Sequence, residues 1–314
     1  MKKKIVMRNS RQSMTMFKEL SEDYLKTCRA KNLSEATIIY YTNCTHMLYK
    51  FKDIIYLEEI DTNFIRDYIL FLKGTMKPVS INTQLRGIKA ILRYGLSIGA
   101  IEEIPQITML AVTKDAKGYY TEEELIKLLV RPNMDKVTFA EYRTWVLLNF
   151  FLATGQRLST VSHIKISDIN LRSMEWTTRH MKTRDNITLP LSPALCDILQ
   201  EYMEIREGTE EDYLFCNETG TKLSARGMQS AVERYNKSRG VYKTSIHLMR
   251  HTFAKTLILN GADLFSVQRL GNWKDLETVK GYVSMYADDL QKLSSINPLD
   301  SFLNQHTKKQ IRMK

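Results

Sequence analysis

One short stretch interrupts a sequence that otherwise repeats its apolar residues at helical spacing. "HIKISDINL", "MEWTTRHMKT" and "NITLPL", between His163 and Leu191, alternate in polarity and are rich in β-branched residues. That pattern predicts short strands. "KTRDN" falls between the second and third of them and predicts a hairpin tip with Lys182 on it. Around this stretch, apolar residues recur three and four positions apart, which predicts amphipathic helices. The fold class that follows is mainly α, with one small antiparallel β-sheet in the second half.

The first hundred residues read as four helices. One runs over about 16–31, and a second begins near Ser34, a candidate N-cap. The third follows Asp61 and carries Phe64, Ile65, Tyr68, Ile69 and Leu72 on one face. The fourth is "SINTQLRGIKAILRYGLSIG", with Ile81, Leu85, Ile88, Leu92 and Leu96 as its core stripe. Arg86, Lys89 and Arg93 fall on another face of that helix. A cationic stripe suits a phosphate backbone; on a single helix it suits a solvated face equally well. Pro105 then breaks the periodicity, and residues 104–119 read as a linker. Thr121 followed by Glu124 is a capping box that opens the second domain. Gly155 is placed to end the apolar helix "WVLLNFFLAT", and the chain after Leu191 reads as helical to its end. The expected organisation is an arm over 1–15, a helical domain over 16–103, the linker, a second domain over 120–290 and a tail over 291–314.

Composition narrows the function. A chain of 314 residues exceeds one typical core and suits two domains. With 43% hydrophobic and 26% charged residues it has the make-up of a globular protein. A formal charge of +11 favours a polyanionic partner, of which nucleic acid is the commonest. The four cysteines, Cys28, Cys44, Cys196 and Cys216, form no pair or cluster with metal-ligand spacing. Neither a zinc site nor a disulfide framework is expected, and a reducing, cytoplasmic compartment is the default. "MKKKIVMRNS" lacks the apolar run of a signal peptide, and the apolar stretch around Trp145 is too short to span a bilayer.

Breaking a phosphodiester without a metal requires fixed positive charge for the phosphorane oxygens, a nucleophile, and an acid for the leaving alkoxide. Arginine is the best such counter-charge, because its planar fork bonds two oxygens and stays protonated. The sequence offers a candidate for each role. Arg157 lies in "TGQRLS", just beyond a helix end, and Lys182 lies at the hairpin tip. His247 and Arg250 are three apart in one helix, Trp273 follows, and Tyr282 comes nine positions after it. Taken singly, each has a duller reading: a carbonyl-binding Arg, a solvated Lys, a core His, a packing Trp, one tyrosine of sixteen. The joint order and spacing outweigh them.

These residues resemble the tyrosine recombinase (phage integrase) family over nearly the whole chain. "LATGQRLSTVSHIKISDIN" is similar to the family's first-arginine box, and "MKTRDNITLPL" to its β-hairpin lysine box. "HLMRHTFAKTLILNGADLFSVQRLGNW" matches the His-x-x-Arg box with its following His/Trp position. "DLETVKGYVSMY" matches the tyrosine box. The resemblance implies a core-binding, DNA-binding domain over 16–103 and a catalytic domain over 120–290. It implies that Tyr282 attacks the scissile phosphate to give a 3′-phosphotyrosyl link. Arg157 and Arg250 would clamp the non-bridging oxygens, with His247 and Trp273 completing the pocket and Lys182 protonating the leaving oxygen. Arg86, Lys89 and Arg93 would face DNA. The implied partner is double-stranded DNA at a specific recombination site. Four copies of the chain would hold two duplexes and exchange strands through a Holliday junction, with accessory DNA-bending proteins as further partners. No cofactor, metal or membrane is implied.

Several readings stay open at this stage. Tyr286 lies one turn after Tyr282, but the Trp273 spacing favours Tyr282. His251, next to Arg250, is expected to face elsewhere on the helix than Arg250, as a structural residue or one that supports the site from behind. The family often has an acidic residue where this chain has Thr160, which leaves two readings: His247 is held by a helper elsewhere, or cleavage is intrinsically slow. Ile296, Leu299, Phe302 and Leu303 in the tail form an apolar stripe for its own domain or, by the resemblance, for a neighbouring protomer. A mobile-element integrase and an Xer-type recombinase both suit the chain. A recombinase-fold repressor without strand exchange and a type IB topoisomerase are the rival functions.

Overall fold

Side-chain caps fix where most of the helices begin. The computed structural model describes residues 15–112, 118–179 and 186–285, with side chains at all but 179 and 282–285. The arm before Thr15, Lys182, Tyr286 and the apolar tail residues lie outside this set. The chain folds as two units, residues 1–115 and 116–314.

The first unit contains α1 (Phe17–Ala30), α2 (Glu35–Phe51), α3 (Thr62–Lys73) and α4 (Pro78–Ser97). The Ser34 hydroxyl accepts the Thr37 N–H at the start of α2, and the Asp61 carboxylate accepts the Phe64 N–H at the start of α3. Pro78 occupies the first turn of α4, where its missing N–H costs nothing, so this helix starts two residues before Ser80. Ile81, Leu85, Ile88 and Leu92 are fully buried against Phe17, Leu20, Leu48, Tyr68 and Leu72. Each such leucine or isoleucine contributes about 1.5–3 kcal/mol by leaving water. Leu96 departs from its expected place in that stripe, being 42% exposed. Gly95 takes the inward position instead, because Leu20 comes within 2.8 Å of where a Cβ would stand. Arg86 and Arg93 are exposed and Lys89 is half-buried, so the cationic stripe faces outward. Beyond Pro105 the chain returns along α4: Asn82 donates to the Leu110 carbonyl and accepts the Leu110 N–H.

The second unit opens with α5 (Glu122–Leu129), held by the Thr121–Glu124 capping box. The central helix α6 (Phe139–Thr154) is buried on nearly all sides, with Tyr142, Val146, Leu147, Leu148, Phe150 and Phe151 in the core. After α7 (Leu158–Val161) come β1 (Ile169–Asn170), β2 (Glu175–Arg179) and β3 (Asn186–Pro190), an antiparallel sheet in that order. β1 is shorter than its alternation suggests. The Asp168 carboxylate accepts the Lys165 N–H and folds residues 166–168 into a 3₁₀ turn. Trp176 faces inward from β2 opposite Leu189 and meets Phe150 edge-on.

The remainder is α8 (Pro193–Arg206), α9 (Ala225–Ser238), α10 (Ile246–Leu259), α11 (Leu264–Leu270) and α12 (Leu276–Met285). The chain after Leu191 is therefore not helical throughout. Between α8 and α9, Tyr213 pairs with Lys165 and Cys216 with Lys222 as isolated bridges. The Asn217 side chain there accepts the N–H groups of Thr219 and Thr221, which favours a turn over a helix. No helix among the described residues is long and apolar enough to cross a membrane.

Candidate active site

Two helix ends and one helix start converge to make the site. The first end is that of α6. Gly155 adopts φ +60°, and a Cβ on it would stand 2.2 Å from the Phe253 ring, so only glycine suits both the turn and the contact. The turn delivers Arg157 to the start of α7, with its side chain exposed.

The helix start is that of α10. Its N-cap, Ser245, makes no side-chain cap bond. The segment before it is tied down from neighbouring elements instead. The Tyr120 phenol donates to the Lys243 carbonyl (3.0 Å), Asn236 donates to the same oxygen (2.7 Å), and Gln229 donates to the Thr244 carbonyl (2.8 Å). Burial pushes the Tyr120 phenol up to about 12, which keeps it a donor across the neutral range. These bonds fix the first turn of α10 and with it His247.

The second end is that of α11, where two carbonyl-bound guanidiniums meet. Arg250 is 2% exposed, and its Nη1 donates to the carbonyls of both Gly155 and Gly271. Its guanidinium lies 3.7 Å from the centre of the Trp273 ring, a cation–π contact in a desolvated setting. Arg157 Nη1 donates to the next carbonyl along, that of Asn272, at 3.0 Å. The two arginines, ninety-three positions apart in sequence, therefore hold successive carbonyls of one turn.

In front of that turn, a cavity of about 270 Å³ is lined by Gln156, Arg157, Leu158, Ser159, Gln229, Ser245, Ile246 and His247. His247 is exposed, and its ring meets that of buried His251 edge-on at 4.5 Å. His251 is thus a buried residue packed against His247, the supporting place read for it from the sequence. Four residues is one helical turn, so the pair shares a side.

The structure brings Arg157 and His247 to one cavity and sets Arg250 behind them on the shared turn. Trp273 does not line the cavity. It is packed with Phe253, Ala254, Ile258, Val267 and Val279 beneath the Arg250 guanidinium. A Cβ on Gly271 would stand 1.6 Å from that indole, so the contact requires glycine there. Residue 282 lies on α12, which packs against both α10 and α11. Lys182 lies outside the described residues. Gln229, Tyr120 and Asn272 were not singled out from the sequence, since amides and phenols that bind backbone carry no distinctive spacing. Among the described residues, no group of His, Cys, Asp and Glu could hold a metal ion. One guanidinium and one imidazole line this small cavity, and a second guanidinium is buried on the adjoining carbonyls; a set of this kind can bind and polarise an oxyanion with several acceptor oxygens.

Comparison with known proteins gives the family and the fold. A family model described as the phage integrase family matches residues 119–288, and one described as the phage integrase SAM-like domain matches residues 15–109. A tyrosine recombinase XerC from Thermodesulfovibrio yellowstonii is 27% identical over 279 residues, covering 85% of this chain and 90% of that protein. A tyrosine recombinase XerA from Pyrococcus furiosus is 27% identical over 282 residues, covering 88% and 93%. Among solved structures, XerH site-specific recombinase bound to its palindromic difH substrate superposes with a TM-score of 0.70 at 22% identity, covering 88% of this chain and 84% of that one. A lambda integrase tetramer bound to a Holliday junction superposes with a TM-score of 0.67 at 20% identity, covering 85% and 80%.

Proposed function

This chain belongs to the phage integrase family of tyrosine recombinases, and from that premise we propose that it cuts and rejoins DNA at a specific site through a phosphotyrosyl intermediate. The observation that carries the proposal is the seating of Arg157 and Arg250 on the adjacent carbonyls of residues 272 and 271, with His247 at the same cavity. A scissile phosphate placed there meets two forks that never deprotonate. The Tyr282 oxygen attacks phosphorus as its phenol proton passes to water, the bond to the 5′ oxygen breaks, and Lys182 gives that oxygen a proton and regains one from water. His247 donates to a non-bridging oxygen as charge builds on it. Trp273 acts from below by fixing the Arg250 plane. The product ester has a phenol as leaving group, so a 5′ hydroxyl from a second duplex reverses the attack. Ligation then consumes no nucleotide.

DNA partners the whole chain in this reading. The helical unit over residues 15–109 presents Arg86, Lys89 and Arg93 to the phosphate backbone. Four protomers hold two duplexes and pass through a Holliday junction, in the manner of the lambda integrase tetramer. Reversing charge at Arg86 and Lys89 together is expected to weaken binding and to reduce the salt slope by about 1 or more per lost phosphate contact. Fluorescence anisotropy over a salt series measures both. An unchanged slope would return that stripe to a solvated face.

A duplex carrying the recombination site and a nick beside the crossover point tests the reaction itself. Cleavage releases a short strand, ligation has no partner, and the protein is trapped. A DNA-linked band that survives denaturation is expected. Tight, site-specific binding without such a band would make the chain a DNA-binding regulator with a recombinase fold. Relaxation of supercoiled plasmid without site preference would make it a topoisomerase.

A further inference from the structure

The end of α11 is built on a residue of unusual backbone geometry. Asn272 has φ +51°, in the left-handed region that side-chain-bearing residues rarely occupy. The reason is a helix-ending motif. The Trp273 N–H donates to the Gln268 carbonyl (2.9 Å) and the Asn272 N–H to the Arg269 carbonyl (3.2 Å), which is the paired pattern of a Schellman cap. In that motif the residue after the cap must be left-handed. Glycine usually supplies it, and asparagine tolerates it better than other residues do. The N–H groups of residues 271–273 all turn back into α11. The carbonyls of Gly271 and Asn272 are left for Arg250 at 2.6 Å and Arg157 at 3.0 Å.

We propose that Asn272 is a positioning residue for strand cleavage: its left-handed backbone aims the carbonyls of residues 271 and 272 at Arg250 and Arg157, and so sets the spacing of the two guanidiniums before DNA arrives. Each guanidinium is seated on backbone oxygen. A backbone acceptor does not titrate, and it leaves the arginines' full charge for a phosphate. The same turn fixes Trp273, whose ring underlies Arg250. One torsion at residue 272 therefore governs the seat of Arg157, the seat of Arg250 and the indole between them and the core.

The role in cleavage rests on the recombinase reading, so the test has an arm that needs no DNA. Three variants separate backbone from side chain. N272G keeps the left-handed turn and loses the amide. N272A tolerates the turn poorly, and N272V, being β-branched, tolerates it least. In the free protein, the Nε–H signals of ¹⁵N-labelled arginine report the seats of Arg157 and Arg250. N272G is expected to keep the wild-type positions and water-exchange rates of both. N272V is expected to shift both and raise exchange by about tenfold to a hundredfold, with N272A between. On the nicked duplex, single-turnover adduct formation should follow the same order at unchanged DNA affinity. An N272G as impaired as N272V would assign the role to the side chain and overturn the proposal. An N272V that matches wild type in the arginine spectrum would overturn it as well. If wild type forms no adduct, the recombinase reading fails, and the spectra alone decide whether residue 272 seats the arginines. Should N272V not fold, the ranking of N272A below N272G carries the same decision.

Discussion

A Tyr282→Phe variant is expected to bind its recombination site as tightly as wild type and to form no covalent adduct on the nicked duplex. The substitution removes one oxygen and leaves the ring. DNA affinity resides mainly in phosphate contacts from lysine and arginine, which this change does not touch. Attack on phosphorus needs the phenol oxygen itself, so the loss is complete within detection rather than partial. The backbone of α12 places residue 282 on a helix packed against α10, the helix that carries His247 and Arg250. A denaturing gel and an anisotropy titration on the same substrate check both halves. An adduct that persists in the Phe variant would move the nucleophile to Tyr286, four positions further along the chain. Loss of binding together with the adduct would mean that Tyr282 holds the fold or the DNA rather than attacking it.

The legible parts of this chain were those that repeat or cap. Ser34, Asp61 and Thr121 announced three helix starts by residue type alone, and all three cap as expected. The alternation over residues 175–190 gave the hairpin, because a half-buried strand must alternate. Leu96 misled because periodicity does not know the neighbour. Leu20 packs so close to the backbone at residue 95 that only a glycine fits there, and Leu96 beside it is left exposed. The region between α8 and α9 misled because its side-chain-to-backbone bonds at Asn217 compete with helix without altering the average polarity. In the site, charged residues could be named from the sequence, but what holds them could not. Arg157 and Arg250 are seated by carbonyls, and every residue has a carbonyl. Only the conformation at Gly155 and Asn272 selects these ones, and a glycine or asparagine in sequence has many other uses.

That difference in seating predicts that the two arginines fail differently when removed. Arg157→Ala takes away an exposed side chain bonded to the Asn272 carbonyl, which water can then serve. Its melting temperature should stay near that of wild type, as for surface changes within about 0.5 kcal/mol. Arg250→Ala takes away a buried group that joins the end of α6, the end of α11 and the Trp273 ring. Two carbonyls then lose a donor, at about 1–3 kcal/mol for each that stays buried and unserved, and the cation–π contact goes with them. Removing a costly buried charge offsets part of this, which leaves a net loss of about 2–4 kcal/mol. Both variants should lose cleavage by at least about a hundredfold to a thousandfold, since each removes a preorganised donor to the phosphorane. Arg250→Lys separates the two effects. An ammonium keeps the charge but not the planar fork, so stability is restored in part while cleavage stays low. Thermal melts beside single-turnover rates on the nicked duplex make the comparison. Equal destabilisation by the two alanine variants would mean that Arg157 is structural to the same degree, and near-normal cleavage by Arg250→Lys would mean that charge alone, without the fork held between residues 155 and 271, stabilises the transition state.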